Sequence, residues 1–482
     1  MNDNYVLLIA PQLDYVKLLA GRGQKVPPSS KPVGLLYLAS FLEARGVAIK
    51  ILDGQIHDLS DAALTAEIAA NRPIIVGIGC PTPLLADGLR IARTVKSAEP
   101  RTTVVMGGAH PTVLPQECFS TGAVDVVVSG EGEHTLWEIL DALRRGSPLD
   151  AIPGLHFLRD GRPISTPPRP FLLDLDSLPL PARHLLPFRE YRQSIDNFYR
   201  HPMELLLTSR GCPYHCIFCA SRQVSGHRYR FHSPEYVIRD IDDIMEKASP
   251  RLIGFADDHF TMIKERAEKI CDLIAERGYQ KRMAWNCAMR ADHADADLLR
   301  KMRRAGCRCI CVGIESGSQR ILQILRKNEK LEDMERGVRM IRQAGIMVRG
   351  TFVMGAPTET REETLATIAF ARQLKLDFAK FNLIVPFPGT ELFDIAKKEG
   401  ALDGNSWANF FPGAGFAGKA APYIPKGRTT DDLVHLQRLG TVRFYAHPRP
   451  IWNMINNVRD LDTLRRAASG ASLLFRLKTK KG

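Results

Sequence analysis

The chain has 482 residues, 45% of them apolar and 25% charged, with a net charge of +13. That is too long for one ordinary hydrophobic core, so two or three domains are expected. No long uncharged apolar run occurs, so no transmembrane helix is expected, and ten dispersed cysteines do not form a secreted disulfide framework. The opening Met1-Asn-Asp-Asn-Tyr-Val-Leu-Leu-Ile-Ala has no basic region or cleavage site and reads as a strand, which makes the reducing cytoplasm the expected compartment.

Residues 1–148 alternate apolar strands with helices. Strands are expected at 5–10, 47–52, 74–79, 103–107 and 124–129, and helices at 34–45, 84–98 and 133–145. Strands that are apolar throughout and separated by helices indicate a parallel sheet covered on both faces. This is a Rossmann-like α/β domain whose ligand belongs at the carboxyl ends of the strands. No G-x-G-x-x-G follows the first strand, which argues against NAD or FAD. Nine prolines from Pro153 to Pro202 mark residues 149–202 as a linker with room for a small hairpin, not a continuing sheet.

Residues 203–400 resume the alternation, with strands expected at 203–208, 252–256, 283–288, 309–314, 347–354 and 378–385. Six βα units suggest a partial (β/α)6 barrel with its chemistry on the loops after the strands. Cys307, Cys309 and Cys311 alternate along one strand, so all three are expected on one side as buried strand residues. Residues 401–482 read as a small α-helical extension, with a glycine-rich loop at 413–418, a helix at 429–447 and a basic tail. The tail has six basic and no acidic residues from Thr463 onward. A solvated terminus is the simplest reading, with weak peripheral contact to anionic lipid as an alternative. No nucleic-acid-binding module accompanies the charge, so no nucleic-acid partner is expected.

The most informative segment is Thr208-Ser-Arg-Gly-Cys-Pro-Tyr-His-Cys-Ile-Phe-Cys, directly after an apolar strand. Its C-x3-C-x2-C spacing brings Cys212, Cys216 and Cys219 to one [4Fe–4S] cluster and leaves one iron without a protein ligand. Structural zinc sites are closed by four ligands, so an incomplete set implies that something else takes the open position. With Phe218 before the last cysteine, the loop resembles that of the radical SAM superfamily, where the amino and carboxylate groups of S-adenosylmethionine (SAM) chelate that iron.

Strand ends offer candidates for the rest of SAM. Asp257 and Asp258 suit the ammonium, Arg290 offers a carboxylate fork, and Glu315 can bridge hydroxyls or the amino group. The turn from Pro386 to Thr390 can give adenine backbone contacts and an aromatic face. Each has a structural alternative: a helix cap for either aspartate, a surface pair with Arg320 for Glu315, and an ion pair for Arg290.

In full, the chain resembles the cobalamin-binding radical SAM enzymes, a group of methyltransferases and anaerobic magnesium-protoporphyrin monomethyl ester cyclases. The resemblance rests on the cysteine loop, Phe255-Ala-Asp-Asp-His-Phe, Gly313-Ile-Glu-Ser-Gly-Ser and Pro386-Phe-Pro-Gly-Thr. In the first domain it rests on Lys31-Pro-Val-Gly-Leu-Leu-Tyr-Leu-Ala, Met106-Gly-Gly-Ala-His-Pro-Thr and Ser129-Gly-Glu-Gly-Glu, and near the end on Phe444-Tyr-Ala-His-Pro-Arg-Pro-Ile. It implies a [4Fe–4S] cluster, SAM and cobalamin as cofactors. The corrin would lie on the loops carrying Cys80, Pro81, Thr82, Gly107, Gly108, His110, Gly130 and Gly132, where glycines admit a large flat ring. The D-x-H-x-x-G cobalamin motif is absent, because Asp53-Gly-Gln-Ile-His57 has the wrong spacing; His57 is expected on the surface.

The implied reaction is reductive cleavage of SAM to a 5′-deoxyadenosyl radical and methylation of an unactivated carbon of a small molecule, with flavodoxin or ferredoxin as electron donor. A radical cyclisation without methyl transfer is the runner-up. An RNA-modifying radical enzyme is a third reading, weakened because the first domain has only Cys80 and Cys118.

Overall fold

A computed structural model describes residues 2–12, 31–191, 202–402, 407–412, 421–450 and 452. The first sheet contains β1 (Asn2–Ala10), β2 (Ala48–Asp53), β3 (Pro73–Gly79), β4 (Thr103–Gly107) and β5 (Val126–Val128). They run parallel in the order β2-β1-β3-β4-β5. The central stretches of the strands are apolar on both faces because helices cover both. Val33–Glu43 and Glu133–Arg145 pack on one side, and Asp61–Asn71 and Leu85–Ala98 on the other. The strand order reverses at β1, with β2 added on one side and β3 on the other, so the crevice for a ligand opens at the carboxyl ends of β1 and β3.

The proline-rich stretch holds the expected hairpin, β6 (Leu155–Arg159) and β7 (Arg162–Ser165), but the sheet does continue into it. β6 pairs antiparallel with β5, so the hairpin forms the sheet's edge. Pro163 is tolerated because β7 is the outermost strand.

The second sheet is β8 (Met203–Leu206), β11 (Leu252–Phe255), β12 (Ala284–Met289), β13 (Cys307–Glu315), β14 (Met347–Met354) and β15 (Phe378–Leu383), all parallel and in sequence order. The short β9 (Ser209–Arg210) and β10 (Arg230–Phe231) pair beside it. This is the partial barrel. Leu206, Ile253, Trp285, Ile310, Val348 and Phe381 face its helices, whereas Met203, Leu252, Ala284, Cys309 and Phe378 form an apolar floor inside it.

The three alternating cysteines do not share a face. The β12–β13 register skips a residue, with Trp285 opposite Cys307 but Asn286 opposite Cys309. A bulge of this kind resets the side-chain alternation. Cys307 therefore joins Cys271 and Cys287 on the helix side, and Cys309 faces inward.

The late helix, Thr430–Tyr445, is part of the barrel wall, with Leu433 and Phe444 in the same core as the strands. Gln437 Nε2 donates to the Phe381 carbonyl at 3.0 Å, and Tyr445 Oη to the Ala379 carbonyl at 3.0 Å. Gly440 permits this approach, since a Cβ there would lie 3.2 Å from Phe381, Met354 and Ile368 atoms. The glycine-rich loop at 413–418 and the basic tail lie outside the described residues.

Buried charges join the two sheets. Lys31 Nζ meets Glu204 at 3.0 Å with both side chains 3% exposed, and Glu131 accepts from Arg210 at 2.9 Å and Arg230 at 2.8 Å. The helix Ala109–Val113, after β4, touches the helix Ser221–Ser225, after the cysteine loop. The carboxyl edge of the first sheet thus meets the mouth of the barrel.

Candidate active site

Asp257, just past β11, fixes the entry to the cysteine loop. Its Oδ1 accepts from the amides of Thr208 at 2.6 Å and Ser209 at 2.9 Å, and its Oδ2 accepts from the Thr208 hydroxyl. At 3% exposure this carboxylate serves the loop and not a ligand's ammonium, which corrects one of the two aspartate assignments. Asp258 is exposed, accepts from the Ser221 hydroxyl, and lies near Cys212 and Cys219.

Gly211 then turns the chain at φ +85, where a Cβ would lie 2.4 Å from the Arg228 carbonyl oxygen. Only glycine fits that turn. Further on, the Ile217 amide donates to Leu325 O at 3.1 Å and the Leu392 amide to Ile217 O at 3.0 Å. Ile217 is buried among Ile321, Leu325, Ile384 and Leu392, with Phe218 half-buried against the same cluster. Cys216 and Cys219 therefore flank an anchored dipeptide.

All three cysteines are free thiols, Cys212 and Cys216 half-buried and Cys219 exposed. Burial raises the pKa of each, that of Cys219 to about 11, and Cys212 adds to the rise at Cys216, as Cys216 and Cys212 do at Cys219. Lys327 and Arg290 oppose that rise at Cys212 and Cys216. Among the described residues, no three His, Cys, Asp or Glu side chains converge on a single metal ion. Three thiols spread along one loop beside two cations suit a polynuclear, negatively charged cluster lacking one protein ligand.

Arg290 does not offer a free fork. Its Nε and Nη2 donate to Asp292 at 3.0 and 2.8 Å, and its Nη1 donates to the Lys327 carbonyl at 2.9 Å. Its guanidinium carbon also stands 3.9 Å from the centre of the Tyr214 ring, inside the cysteine loop. The ion-pair alternative holds for this residue, which braces the loop through a cation–π contact.

The second cation acting on the Cys212 and Cys216 thiols is Lys327, which sequence reasoning missed. Its ammonium lies 3.4 Å from Glu315 Oε1 and 3.4 Å from Glu329 Oε2, with the side chain 8% exposed. Burial opposes its charge, but the two carboxylates outweigh burial and raise its pKa. Glu315 takes φ +65, a strained backbone for glutamate. Gly313 makes the room: a Cβ there would lie 2.4 Å from Glu315 Oε1 and 3.0 Å from Lys327 Nζ. Arg320 instead pairs with Glu363, so the surface alternative for Glu315 fails. Only the Gly-Ile-Glu motif signals this network, because Arg-Lys-Asn-Glu resembles an ordinary solvated run.

Three further aromatic groups were also missed. Tyr214 Oη lies 2.5 Å from His293 Nε2, and the His293 ring centre lies 4.5 Å from that of His259. His259 is buried with neither ring nitrogen hydrogen-bonded, and burial lowers its pKa to about 3. After β15, Pro386 is buried and Gly389 turns at φ +80, where a Cβ would lie 2.9 Å from Val113 of the first domain. The proposed adenine turn therefore sits where the two sheets meet.

On the first sheet's side the edge is mostly backbone. Gly108 takes φ +108, with a would-be Cβ 3.1 Å from the Cys80 amide nitrogen; Gly130 takes φ +84 with nothing within 4 Å of its would-be Cβ. Gly107 meets only Val128 at 3.8 Å, whereas Gly132 begins a helix close against Leu38. Thr82 and Cys80 are buried and Pro81 is exposed. This bare rim, rich in positive-φ glycine, fits a large flat ring better than a small charged ligand.

His110 is not on that rim. It is 0% exposed, edge-on to Trp407 with ring centres 5.3 Å apart, and Nε2 is 3.5 Å from Glu117. Burial lowers its pKa to about 4. His57 is likewise not a free surface histidine, since its Nδ1 accepts from the Asp53 amide at 2.9 Å.

Comparison with known proteins agrees with this geometry. The family model of the radical SAM superfamily matches residues 206–371, and that of the B12 binding domain matches residues 21–140. The chain is 33% identical to an uncharacterized methyltransferase of Pyrococcus horikoshii, over 92% of this chain and 93% of that one. It is 26% identical to the anaerobic magnesium-protoporphyrin IX monomethyl ester cyclase of Rubrivivax gelatinosus, over 77% of this chain and 67% of the cyclase. In fold it is similar to the radical SAM methyltransferase TsrM of Kitasatospora setae, solved with cobalamin and a [4Fe–4S] cluster. That likeness has a TM-score of 0.73 at 19% identity and covers 98% of this chain and 99% of that one. The chain belongs to the radical SAM superfamily, in its cobalamin-dependent methyltransferase branch, whose cofactors are a [4Fe–4S] cluster, SAM and cobalamin.

Proposed function

We propose that this enzyme methylates an unactivated carbon of a small molecule in the reducing cytoplasm, drawing electrons from a flavodoxin or ferredoxin. The single observation that carries the reading is the meeting of two unlike surfaces. A loop with three free thiols and a buried Lys327–Glu315–Glu329 network faces a glycine rim on the first domain.

Cys212, Cys216 and Cys219 would hold the cluster, and Asp258, Glu315 and Lys327 the methionine end of SAM. Lys327 suits the SAM carboxylate, because two glutamates already hold its ammonium charged in a buried position. Asp258, exposed beside the thiols, suits the SAM ammonium. Phe387, half-buried after Pro386, offers a face to adenine. The rim of Gly107, Gly108 and Gly130, with Pro81 and Thr82 beside it, would carry the corrin. Together the bound groups supply a 5′-deoxyadenosyl radical and a transferable methyl group. The chain's own part is to orient them across the interface and exclude water.

The test is anaerobic reconstitution with iron, sulfide and cobalamin, followed by assay for 5′-deoxyadenosine and for retained cobalt. Absence of 5′-deoxyadenosine from protein with an intact cluster would overturn the SAM reading. With SAM carrying a trideuteromethyl group, a deuterated product supports methyl transfer, and an unlabelled cyclised product selects the cyclase alternative.

A further inference from the structure

We propose that the exposed face behind the cysteine loop is the docking site of an acidic flavodoxin, with cations around an apolar centre at Phe231 and Leu173. This names the partner that reduces the cluster in the reading above, and rests on that reading.

The sequence sets the charge of this face. From Leu205 to Pro234 there is no aspartate or glutamate, whereas Arg210, Arg222, Arg228 and Arg230 all fall there. The fold divides the four. Arg210 and Arg230 turn inward to Glu131, while Arg222 and Arg228 are exposed. Arg222 donates from Nε to His227 Nε2 at 2.6 Å, and its Nη1 lies 3.1 Å from His215 Nδ1; both histidines are exposed. A histidine brings no negative charge, so the guanidinium keeps its field. By itself a basic run of this kind is an ordinary solvated face. Two further observations set it apart.

The first is its position. The Cys212 amide donates to the Gly226 carbonyl at 3.3 Å, and a Cβ on Gly211 would lie 2.4 Å from the Arg228 carbonyl oxygen. The turn at 226–228 is therefore packed on the backbone of the first cluster cysteine. A carrier resting on that turn stands one backbone layer from Cys212.

The second is the apolar surface beside the cations. Leu173 is 61% exposed and Phe231 39%, unusual values for large apolar side chains in a folded chain. Their segments touch. A Cβ on Gly226 would lie 2.7 Å from the Phe171 ring, and Arg230, next to Phe231, donates from Nη1 to the Leu172 carbonyl at 2.7 Å. The Phe231 ring rests on Arg266, whose guanidinium carbon is 5.2 Å from its centre. A small apolar centre beside charges of one sign suits a short-lived complex. The charges steer the encounter, the apolar contact orients it, and the small area lets the carrier leave.

The occupant follows from these features. It must be acidic to match the cations, and it must deliver single electrons. A flavodoxin does both, and the dimethylbenzene edge of its flavin is an apolar surface that fits Phe231 and Leu173. In the transfer an anionic flavin hydroquinone gives one electron and becomes the neutral semiquinone. The oxidised cluster takes that electron and becomes the reduced cluster, with no bond made or broken.

The experiment titrates an acidic flavodoxin into the reconstituted holoenzyme by isothermal calorimetry at low and at high salt. In parallel, 5′-deoxyadenosine formation is driven either by reduced flavodoxin or by dithionite, which needs no docking face. Saturable binding that weakens with salt is expected. Arg228→Glu and Phe231→Ser should each weaken it at least about fivefold, the upper range for one exposed contact. Each should slow the flavodoxin-driven reaction while leaving iron content and the dithionite-driven reaction as in wild type, which separates docking from misfolding. Arg228→Lys should bind as wild type, as should Arg339→Glu, an exposed position on the helix Leu331–Gln343 between β13 and β14. No saturable binding, binding indifferent to salt, or equal loss in Arg339→Glu would overturn the proposal. So would displacement of flavodoxin by polyglutamate at equal charge concentration, or tighter binding of a ferredoxin at the same residues. Failure of dithionite to yield 5′-deoxyadenosine from wild type with an intact cluster would sink the reading above. Flavodoxin binding that depends on Arg228 and Phe231 would still stand in that protein as evidence for the docking face.

Discussion

The two surfaces that meet at this site are built on opposite principles. The barrel mouth is dense with side chains held by one another. Asp257 pins Thr208 and Ser209, Arg290 braces Tyr214, and Glu315 and Glu329 enclose Lys327. The first sheet's rim offers glycine and backbone, and its one candidate histidine is buried beneath Trp407. The contrast follows from ligand chemistry. A small, highly charged sulfonium amino acid needs fixed charges at fixed points, whereas a broad macrocycle needs area from which side chains have been removed.

The largest expected effect breaks the barrel side alone. Cys216→Ala should abolish cluster assembly and 5′-deoxyadenosine formation while cobalamin is retained. Iron content, 5′-deoxyadenosine and the cobalamin absorption spectrum read the three outcomes. Loss of cobalamin along with iron would show that the surfaces are one folding unit and not two separable sites.

The second effect concerns the charge network. Lys327→Met leaves two glutamates facing each other in a buried site, which should lower unfolding stability by about 3 kcal/mol and SAM affinity with it. Adding Glu315→Gln to that variant should restore much of the stability without restoring SAM binding. Urea unfolding read beside equilibrium dialysis of SAM separates the two roles. If both quantities recover together, Lys327 acts only by holding Glu315.

Legibility in the sequence divides along the same line. Strand alternation is a local property, so eleven of the expected strands appear with ends shifted by a few residues. The cysteine loop is legible because its spacing is itself the chemistry. Lys327, Glu329 and His293 are not legible, since their importance comes from strands and turns distant in sequence that meet at the barrel mouth. Asp257 and Asp258 show the limit most sharply. Adjacent and identical in type, they take different roles because one points back into the loop and the other outward. The β12–β13 bulge that separates Cys307 from Cys309 likewise leaves no mark on the alternation itself.

The third effect tests the rim. Gly130→Val introduces a β-branched residue at φ +84 and puts a side chain into space that is now empty. Backbone strain of about 1–2 kcal/mol is expected, together with a marked loss of retained cobalamin. Cluster content should not change. Gly122→Val, at φ +68 with similarly open surroundings, carries comparable strain away from the rim and serves as the control. Equal cobalamin loss in both variants would assign the effect to strain.

The smallest effect concerns His110, which the comparison places below the rim. Burial lowers its pKa to about 4, and burial also lowers that of His232, stacked 3.8 Å from Tyr236. Both are neutral in the folded chain and take up a proton on unfolding once the pH falls below the ordinary histidine value of about 6.5. The unfolded state therefore binds more protons between about pH 6.5 and 4, and stability falls as the pH is lowered through that window. Each histidine contributes a slope of up to about 1.4 kcal/mol per pH unit. His110→Phe keeps a ring against Trp407 and removes one titration, so urea midpoints measured from pH 7.5 to 5 should fall less steeply than in wild type. Cobalamin retention in the same variant decides the placement. Retention as in wild type is expected of a histidine packed under Trp407, and a shifted cobalamin spectrum would bring it back to the corrin.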